Sequence, residues 1–166
     1  MDGFSEFYAV RKDAVLSAVI VATRGQRGAE DAVSEAFARA YARWDTVRDH
    51  PNPSAWVIRT ALNEQRSWWR KLSREVPSTG SDAVAADAAS DELSRDIRTL
   101  VASLPRRQRE VVALRILADL SADETAALLG ITASTVHVHL HRALATLRTQ
   151  LSGHSSDTVG LAEGGS

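Results

Sequence analysis

Residues 120–148, LSADETAALLGITASTVHVHLHRALATLR, decide the fold class. Ser121 followed by Glu124 is a capping box, in which the hydroxyl and the carboxylate each accept an otherwise orphaned backbone N–H. Ala126, Ala127, Leu128 and Leu129 follow as a closely packing apolar run. Gly130 stands where a helix ends in a positive φ, and Thr132 is placed to cap a second helix. In that second helix Val136, Leu140, Ala143, Leu144 and Leu147 recur at i, i+4, i+7, i+8 and i+11, which predicts one buried stripe. At about 100° per residue, the opposite face carries Ser134, Thr135, Val138 and Arg142, with His137, His139 and His141 on the flanks. Two helices across a glycine turn, the second presenting small polar groups, imidazoles and a guanidinium, suit a helix-turn-helix that enters a major groove. A plain helical hairpin with a solvated face is the competing reading, and the rest of the chain decides against it.

The chain has 166 residues, enough for one domain or two small ones. It has no cysteine, which excludes disulfides and thiol chemistry. No run of about 18 apolar residues occurs, so no membrane insertion is expected. MDGFSEFYAVRKD lacks a basic segment followed by an apolar one, so no signal peptide is expected, and the chain reads as cytoplasmic. The net charge of −1 argues at first against a nucleic-acid partner, but it is an average. Residues 1–76 and 93–151 are each mildly basic, whereas 77–92 hold four acids and no base, and 152–166 are acidic. Mild positive charge supports only modest DNA affinity, so help from a protein partner is expected.

Residues 77–92, PSTGSDAVAADAASDE, are small and acidic and read as a flexible linker. Residues 152–166 read as a disordered tail. Nearly everything else is helix-patterned, without alternating strands, so the expected architecture is all-α: two small helical domains, 1–76 and 93–151, the second a four-helix helix-turn-helix domain. In the first, helices are expected over 4–23, with Phe4, Phe7, Tyr8, Val15, Val19 and Ala22 for its inner side, and over 28–44, with Val33, Phe37, Ala40 and Trp44 as its stripe. After a loop at 45–53, Ser54 is expected to cap a helix over 54–72. That helix interleaves Arg59, Arg66, Arg70 and Lys71 with Trp56, Trp68 and Trp69, a mixture suited to melted nucleic acid, although tryptophans in so small a domain are mostly core. In the second domain Ile97, Leu100, Val101 and Leu104 mark a short amphipathic helix. Pro105 opens the next, with Val111, Val112, Leu114 and Leu117 facing inward and Arg106, Arg107 and Arg109 clustered at its start.

Both halves resemble the extracytoplasmic-function sigma factors, the two-domain members of the sigma-70 family. AEDAVSEAFARAYARW resembles the family's region 2.2, SAWVIRTALNEQRSWWRK regions 2.3–2.4, and LPRRQREVVALRILADLSADETAALLGITASTVHVHLHRALATLR region 4. The resemblance implies binding to RNA polymerase core and no catalytic chemistry or cofactor. It implies that Asp31, Ser34, Glu35 and Phe37 lie in or near the contact with the β′ clamp helices, and that region 4 meets the β flap. The loop 45–53 would capture a base flipped from the −10 element, with Asn63 and Trp56 at that site and Arg59, Arg66, Arg70 and Lys71 tracking the backbone. Ser134, Thr135, His137, Val138, His141 and Arg142 would read the −35 element, and an anti-sigma factor is a further expected partner. The chain departs from the family pattern at Ser34, Leu62 and Ser67. It departs again at His137, Val138, His139 and Leu144, where the family often carries a basic or hydroxyl side chain.

A stand-alone helix-turn-helix regulator would add a sensor or receiver domain, and no strand–helix alternation encodes one. An enzyme would need a nucleophile–base pair, a metal cluster or a phosphate-cradling loop, and none is evident. His137 and His141 have the i, i+4 spacing of zinc ligands, but no cysteine and no intervening glutamate in an HExxH pattern supports them, so no metal is expected. Imidazolium meets phosphate better than neutral imidazole does, so affinity for a −35 duplex should rise as the pH falls from about 8 to about 6. Fluorescence anisotropy at matched ionic strength measures this. A flat profile, or one unchanged in the His137→Gln, His141→Gln double variant, contradicts it.

Overall fold

The computed structural model describes residues 3–75 and 92–159, and it is helical throughout apart from turns. The helices are α1 (Phe4–Ala22), α2 (Ala29–Ala42), α3 (Trp44–Val47), α4 (Pro53–Glu75), α5 (Glu92–Ala102), α6 (Arg106–Val112), α7 (Ala122–Leu129) and α8 (Ala133–Val159). One π-helical turn, Ala113–Leu117, extends α6. The segment expected as a linker lies outside the described residues except at residue 92, where α5 begins. The expected tail differs: α8 runs on through Val159, and only residues 160–166 of that stretch lie outside the described chain.

The amino-terminal module follows its apolar spacing. Val33, Ala36, Phe37 and Ala40 of α2 are buried against Val57, Ile58 and Ala61 of α4, with Val15, Ala18 and Val19 of α1 completing the core. The Phe4, Phe7, Tyr8, Phe37, Tyr41 and Trp44 rings form one cluster, including Tyr8 edge-on to Phe37 at 5.0 Å and Phe4 edge-on to Trp44 at 5.3 Å. Such pairs add about 0.5–1.5 kcal/mol beyond burial. They account for a difference from the expected loop at 45–53. With Trp44 packed in the cluster and Val47 buried, the chain makes the short turn α3 before it reaches α4. The start of α4 also differs by a residue. Asn52 Oδ1 accepts the Ala55 N–H at 3.2 Å and Pro53 takes the first helical position, so Asn52, not Ser54, is the cap.

In the carboxy-terminal module the helix-turn-helix forms as read. Ser121 Oγ accepts the Glu124 N–H at 3.1 Å, and Glu124 Oε2 accepts the Ser121 N–H at 2.9 Å. Gly130 closes α7 at φ +67°, and Thr132 Oγ1 accepts the Thr135 N–H at 3.2 Å at the head of α8. The stripe on α8 is narrower than its spacing suggests. Val136 and Ala143 are fully buried and Leu140 and Leu147 partly so, but Leu144 is exposed. It sits about 80° around the helix from Val136, at the stripe's edge. Leu117 is exposed as well, contrary to its expected inward position. The π turn, with Ala118 N–H donating to Ala113 at 3.0 Å, adds a residue to the helical ring and rotates the chain beyond it, so that Ala118 and Leu120 take the buried places.

The two modules share a core. Val15 and Val19 of α1 belong to the same buried cluster as Val111, Leu114, Ala118, Leu120, Ala126, Leu129 and Val136. Val21 packs on a second cluster formed by Val101, Leu104, Val112 and Ala143. The α1 helix therefore lies between α2 and α4 on one side and α5, α6 and the π turn on the other. Asn52 Nδ2 adds a polar tie, donating to Glu124 Oε2 at 3.1 Å.

The π turn makes a discriminating prediction. Leu114→Ala, at a fully buried site of the shared core, should destabilise by about 2–5 kcal/mol. Leu117→Ala should cost less than about 0.5 kcal/mol, as exposed substitutions do. Chemical denaturation of both variants checks this, and equal losses would contradict the rotated register.

Candidate nucleic-acid interface

The outer face of α8 carries the residues expected to read a −35 element. Ser134, His137, His141 and Arg142 are exposed or partly so, Val138 is 45% exposed and Thr135 is half-buried. Thr135 has a structural duty too, since its hydroxyl lies 2.8 Å from that of Thr132 within the cap. His139 leaves Nδ1 buried without a hydrogen-bond partner. Val136 and Ala143 lie beneath this face and fix its orientation. Among the described residues no group of three or more His, Cys, Asp or Glu is placed to hold a metal ion.

The residues expected at a −10 element divide into two sets. Arg59 and Lys71 are exposed on α4. Asn63, Arg66 and Arg70 are exposed as well, and line a cleft of about 720 Å³ together with Arg106, Arg109, Glu110 and Leu129 of the carboxy-terminal module. Trp56 is half-buried against the core, so its ring supports α4 more than it presents a surface. Trp68 and Trp69 fall on α4, but their side chains lie outside the described residues. The loop before α4 is engaged across the modules through Asn52 and Glu124.

On α2, Asp31, Ser34 and Glu35 are the expected polymerase contacts. Ser34 and Glu35 are exposed and Asp31 lines a surface pocket with Glu30, whereas Phe37 is 4% exposed and packs on Phe7 and Tyr8. Phe37 is thus a core residue beneath the expected contact. A helix stripe read from spacing alone does not separate the buried edge of a contact from the contact itself. Arg39 joins Glu35 at 3.1 Å to Glu64 of α4 at 2.6 Å, which fixes the two helices' exposed edges to each other. The Glu35 hydrogen bond is the chief reason the Arg39 guanidinium titrates above its ordinary range.

One residue that matters here was not singled out by sequence, and another was named but not expected to be buried. Asn52 joins the modules, and its Asn-Pro dipeptide is a recognisable helix start. Arg109, expected at an exposed basic cluster, is 6% exposed; Nη1 donates to the Leu104 carbonyl at 3.3 Å, and Nε has no partner. The leucine–proline turn that precedes α6 folds back over it, an effect of tertiary packing that charge patterning does not reveal.

An exposed recognition helix, set on a buried stripe beside a basic second module, defines a DNA-binding protein of the helix-turn-helix class. Comparison with known proteins makes the class specific. The family described as "Sigma-70, region 4" matches residues 94–147, and "Sigma-70 region 2" matches residues 13–75. The RNA polymerase sigma-E factor of Streptomyces coelicolor is 35% identical over 164 residues, covering 95% of this chain and 91% of that protein. The ECF RNA polymerase sigma factor SigW of Bacillus subtilis is 29% identical over 167 residues, covering 90% of this chain and 89% of that protein. Among solved structures, the sigma factor RpoE in complex with the anti-sigma factor NepR, from Bartonella quintana, superposes with a TM-score of 0.73 over 92% of this chain and 98% of that one. At 24% identity that likeness speaks for the fold. CnrH in complex with the cytosolic domain of CnrY gives a TM-score of 0.57 at 25% identity, over 90% and 88% of the two chains. The chain belongs to the sigma-70 family of RNA polymerase sigma factors, in its extracytoplasmic-function group. A sigma factor binds RNA polymerase core and directs initiation at promoters, and a stand-alone regulator is not favoured. Among the described residues no helix is long and apolar enough to cross a membrane.

The α8 face gives a direct test. Arg142→Ala should lower affinity for a −35 duplex roughly ten-fold, the range for losing one guanidinium contact, and should leave the thermal unfolding midpoint unchanged. Unaltered binding by electrophoretic mobility shift would mean that a different face of α8 meets DNA.

Proposed function

We propose that the chain grips a promoter at two points and is delivered there by polymerase. In this reading Ser134, Thr135, His137, Val138, His141 and Arg142 face the −35 element. Asn63, Trp56, Arg59, Arg66, Arg70 and Lys71 serve the −10 region, and Asp31, Ser34 and Glu35 meet the β′ clamp helices over the buried Phe37. The chain contributes binding and positioning and no covalent chemistry, and its work on polymerase is cytoplasmic. An anti-sigma factor is a further partner, by analogy with the two solved sigma factors that carry one.

The observation that carries most weight is the exposed α8 face set over buried Val136 and Ala143. The shared core adds a constraint. Elements centred at −35 and −10 are 25 positions apart, about 85 Å of duplex at roughly 3.4 Å per step. A folded chain of this length has a radius of gyration of about 15 Å, and its whole span is near 40 Å. The packed arrangement therefore does not reach both elements. The modules must separate, giving up the Val15–Leu114 core and the Asn52–Glu124 bond, before the promoter is engaged. Polymerase supplies the binding energy for that separation, which accounts for a chain too weakly charged to hold DNA unaided.

Transcription in vitro tests the reading. Core polymerase with the purified chain should initiate from a cognate promoter, and core alone should not. Because the chain has no cysteine, an Asn52→Cys, Glu124→Cys variant can be joined specifically by a short bis-maleimide. The joined form should lose at least ten-fold in transcript relative to the same variant capped singly with N-ethylmaleimide, which carries the same two substitutions. Full activity of the joined form would overturn the requirement for separation, and failure to bind core would overturn the function.

A further inference from the structure

The cleft between the modules is more basic than the packing around it neutralises. Arg66 and Arg70 of α4 line it together with Arg106 and Arg109 at the start of α6, and among the described residues Glu110 is the acid lining the same space. Glu110 is already committed, with Oε1 held by Arg106 at 3.0 Å and Oε2 by Arg107 at 3.0 Å. Arg109 is nine-tenths buried and its Nε has no hydrogen-bond partner among the described residues. Burial and repulsion from Arg24, only partly offset by the Glu110 carboxylate, push its guanidinium below the ordinary arginine range. A buried cation with an idle donor is costly unless something pairs with it.

A second unpartnered group lines the space. Gln65 is 3% exposed; its amide Nε2 reaches the Gln26 carbonyl at 3.4 Å, but its buried Oε1 accepts nothing among the described residues. An unpaired acceptor in the same cleft as four guanidiniums suits a ligand with a hydroxyl or amine donor as well as negative charge. The volume, about 720 Å³, is that of a small-molecule site. Duplex DNA, about 20 Å across on the scale of its grooves, is too large for it.

We propose that this cleft is a binding site for a small organic anion bearing two or more phosphates, of nucleoside-diphosphate size. Its phosphates pair with Arg66, Arg70, Arg106 and Arg109, and a donor on its organic part meets Gln65 Oε1. The site draws on both modules, so the ligand binds only the packed arrangement. By mass action it opposes separation of the modules. It also occupies Asn63, Arg66 and Arg70, which the promoter needs. The regulatory consequence rests on the two-point reading, whereas binding itself does not.

The test uses the full chain without polymerase. Guanosine diphosphate and inorganic pyrophosphate are added separately, and sodium sulfate at equal ionic strength controls for general salt stabilisation. Guanosine diphosphate should raise the unfolding temperature by about 5 °C at roughly a hundred times its Kd. Pyrophosphate should raise it less, and sulfate only by the small general salt effect that Arg106→Gln leaves unchanged. Arg106→Gln and Arg109→Gln should each abolish the shift. If the buried Arg109 variant fails to fold, Arg106→Gln, at an exposed position, decides. Equal shifts with sulfate, no shift with either phosphate, or an undiminished shift in Arg106→Gln overturns the site. Capture of the same preparation by polymerase core, in buffer without nucleotide, is scored separately, so loss of the site leaves the sigma-factor reading standing. With the chain limiting, guanosine diphosphate should reduce that capture at least ten-fold, and the Arg106→Gln variant should resist it.

Discussion

Burial of α1 on two sides is the constraint on which the rest of the structure depends. Val15 and Val19 are in contact with solvent on neither side, being closed in by α2 and α4 on one and by the Val111–Leu114 turn on the other. A helix in that position sets the place of both elements proposed to face DNA. On one side it aligns α4 and the loop that precedes it. On the other it receives α6, whose π turn directs the chain into α7 and then α8. Each buried aliphatic side chain contributes on the order of 1.5–3 kcal/mol. The core between modules is therefore a substantial store of free energy, and polymerase binding has to exceed it for the modules to part.

This arrangement couples reading to delivery. The α8 face is open to solvent in the packed form, and three of the six residues expected at the −10 region, although exposed, line the cleft shared with the other module. In the proposed reading the packed chain presents one element freely and the other only at the rim of that cleft. Its weak overall charge fits that behaviour, because affinity resides in the assembled polymerase and not in the free protein. The exposed Ser34 and Glu35 on α2 remain available to a partner while the modules are together, so contact with polymerase can precede separation.

Much of this was legible in the residues. The capping box at Ser121 and Glu124, the Gly130 turn and the Thr132 cap are local hydrogen-bond devices, and local devices survive translation from sequence to fold. The face of α8 followed from helical periodicity for the same reason. What escaped was set by contacts distant in sequence. Leu117 turned outward because a π turn changed the register, and Arg109, read as one of a basic cluster, is buried where the modules meet, whereas Phe37 lies in the core as its place in the α2 stripe predicts. The two halves looked like separate domains because the acidic stretch between them reads as a divider. No periodicity within α1 announces that a second module will cover its other side. The convergence of Arg66 and Arg70 with Arg106 and Arg109 belongs to the same category.

The central claim is that the packed modules separate when polymerase is bound, and an intramolecular distance tests it most directly. Asp45→Cys, on α3, and Thr146→Cys, on α8, lie on the amino- and carboxy-terminal modules and can be labelled cleanly in a chain without cysteine. Pulsed electron–electron resonance between spin labels there should give one short distance in the free chain, within the roughly 40 Å span of a compact fold of this size. Addition of polymerase core and promoter should replace it with a distance longer by about 20 Å or more, as engagement of elements some 85 Å apart along the duplex requires. An unchanged distance in a complex that initiates transcription would contradict the account.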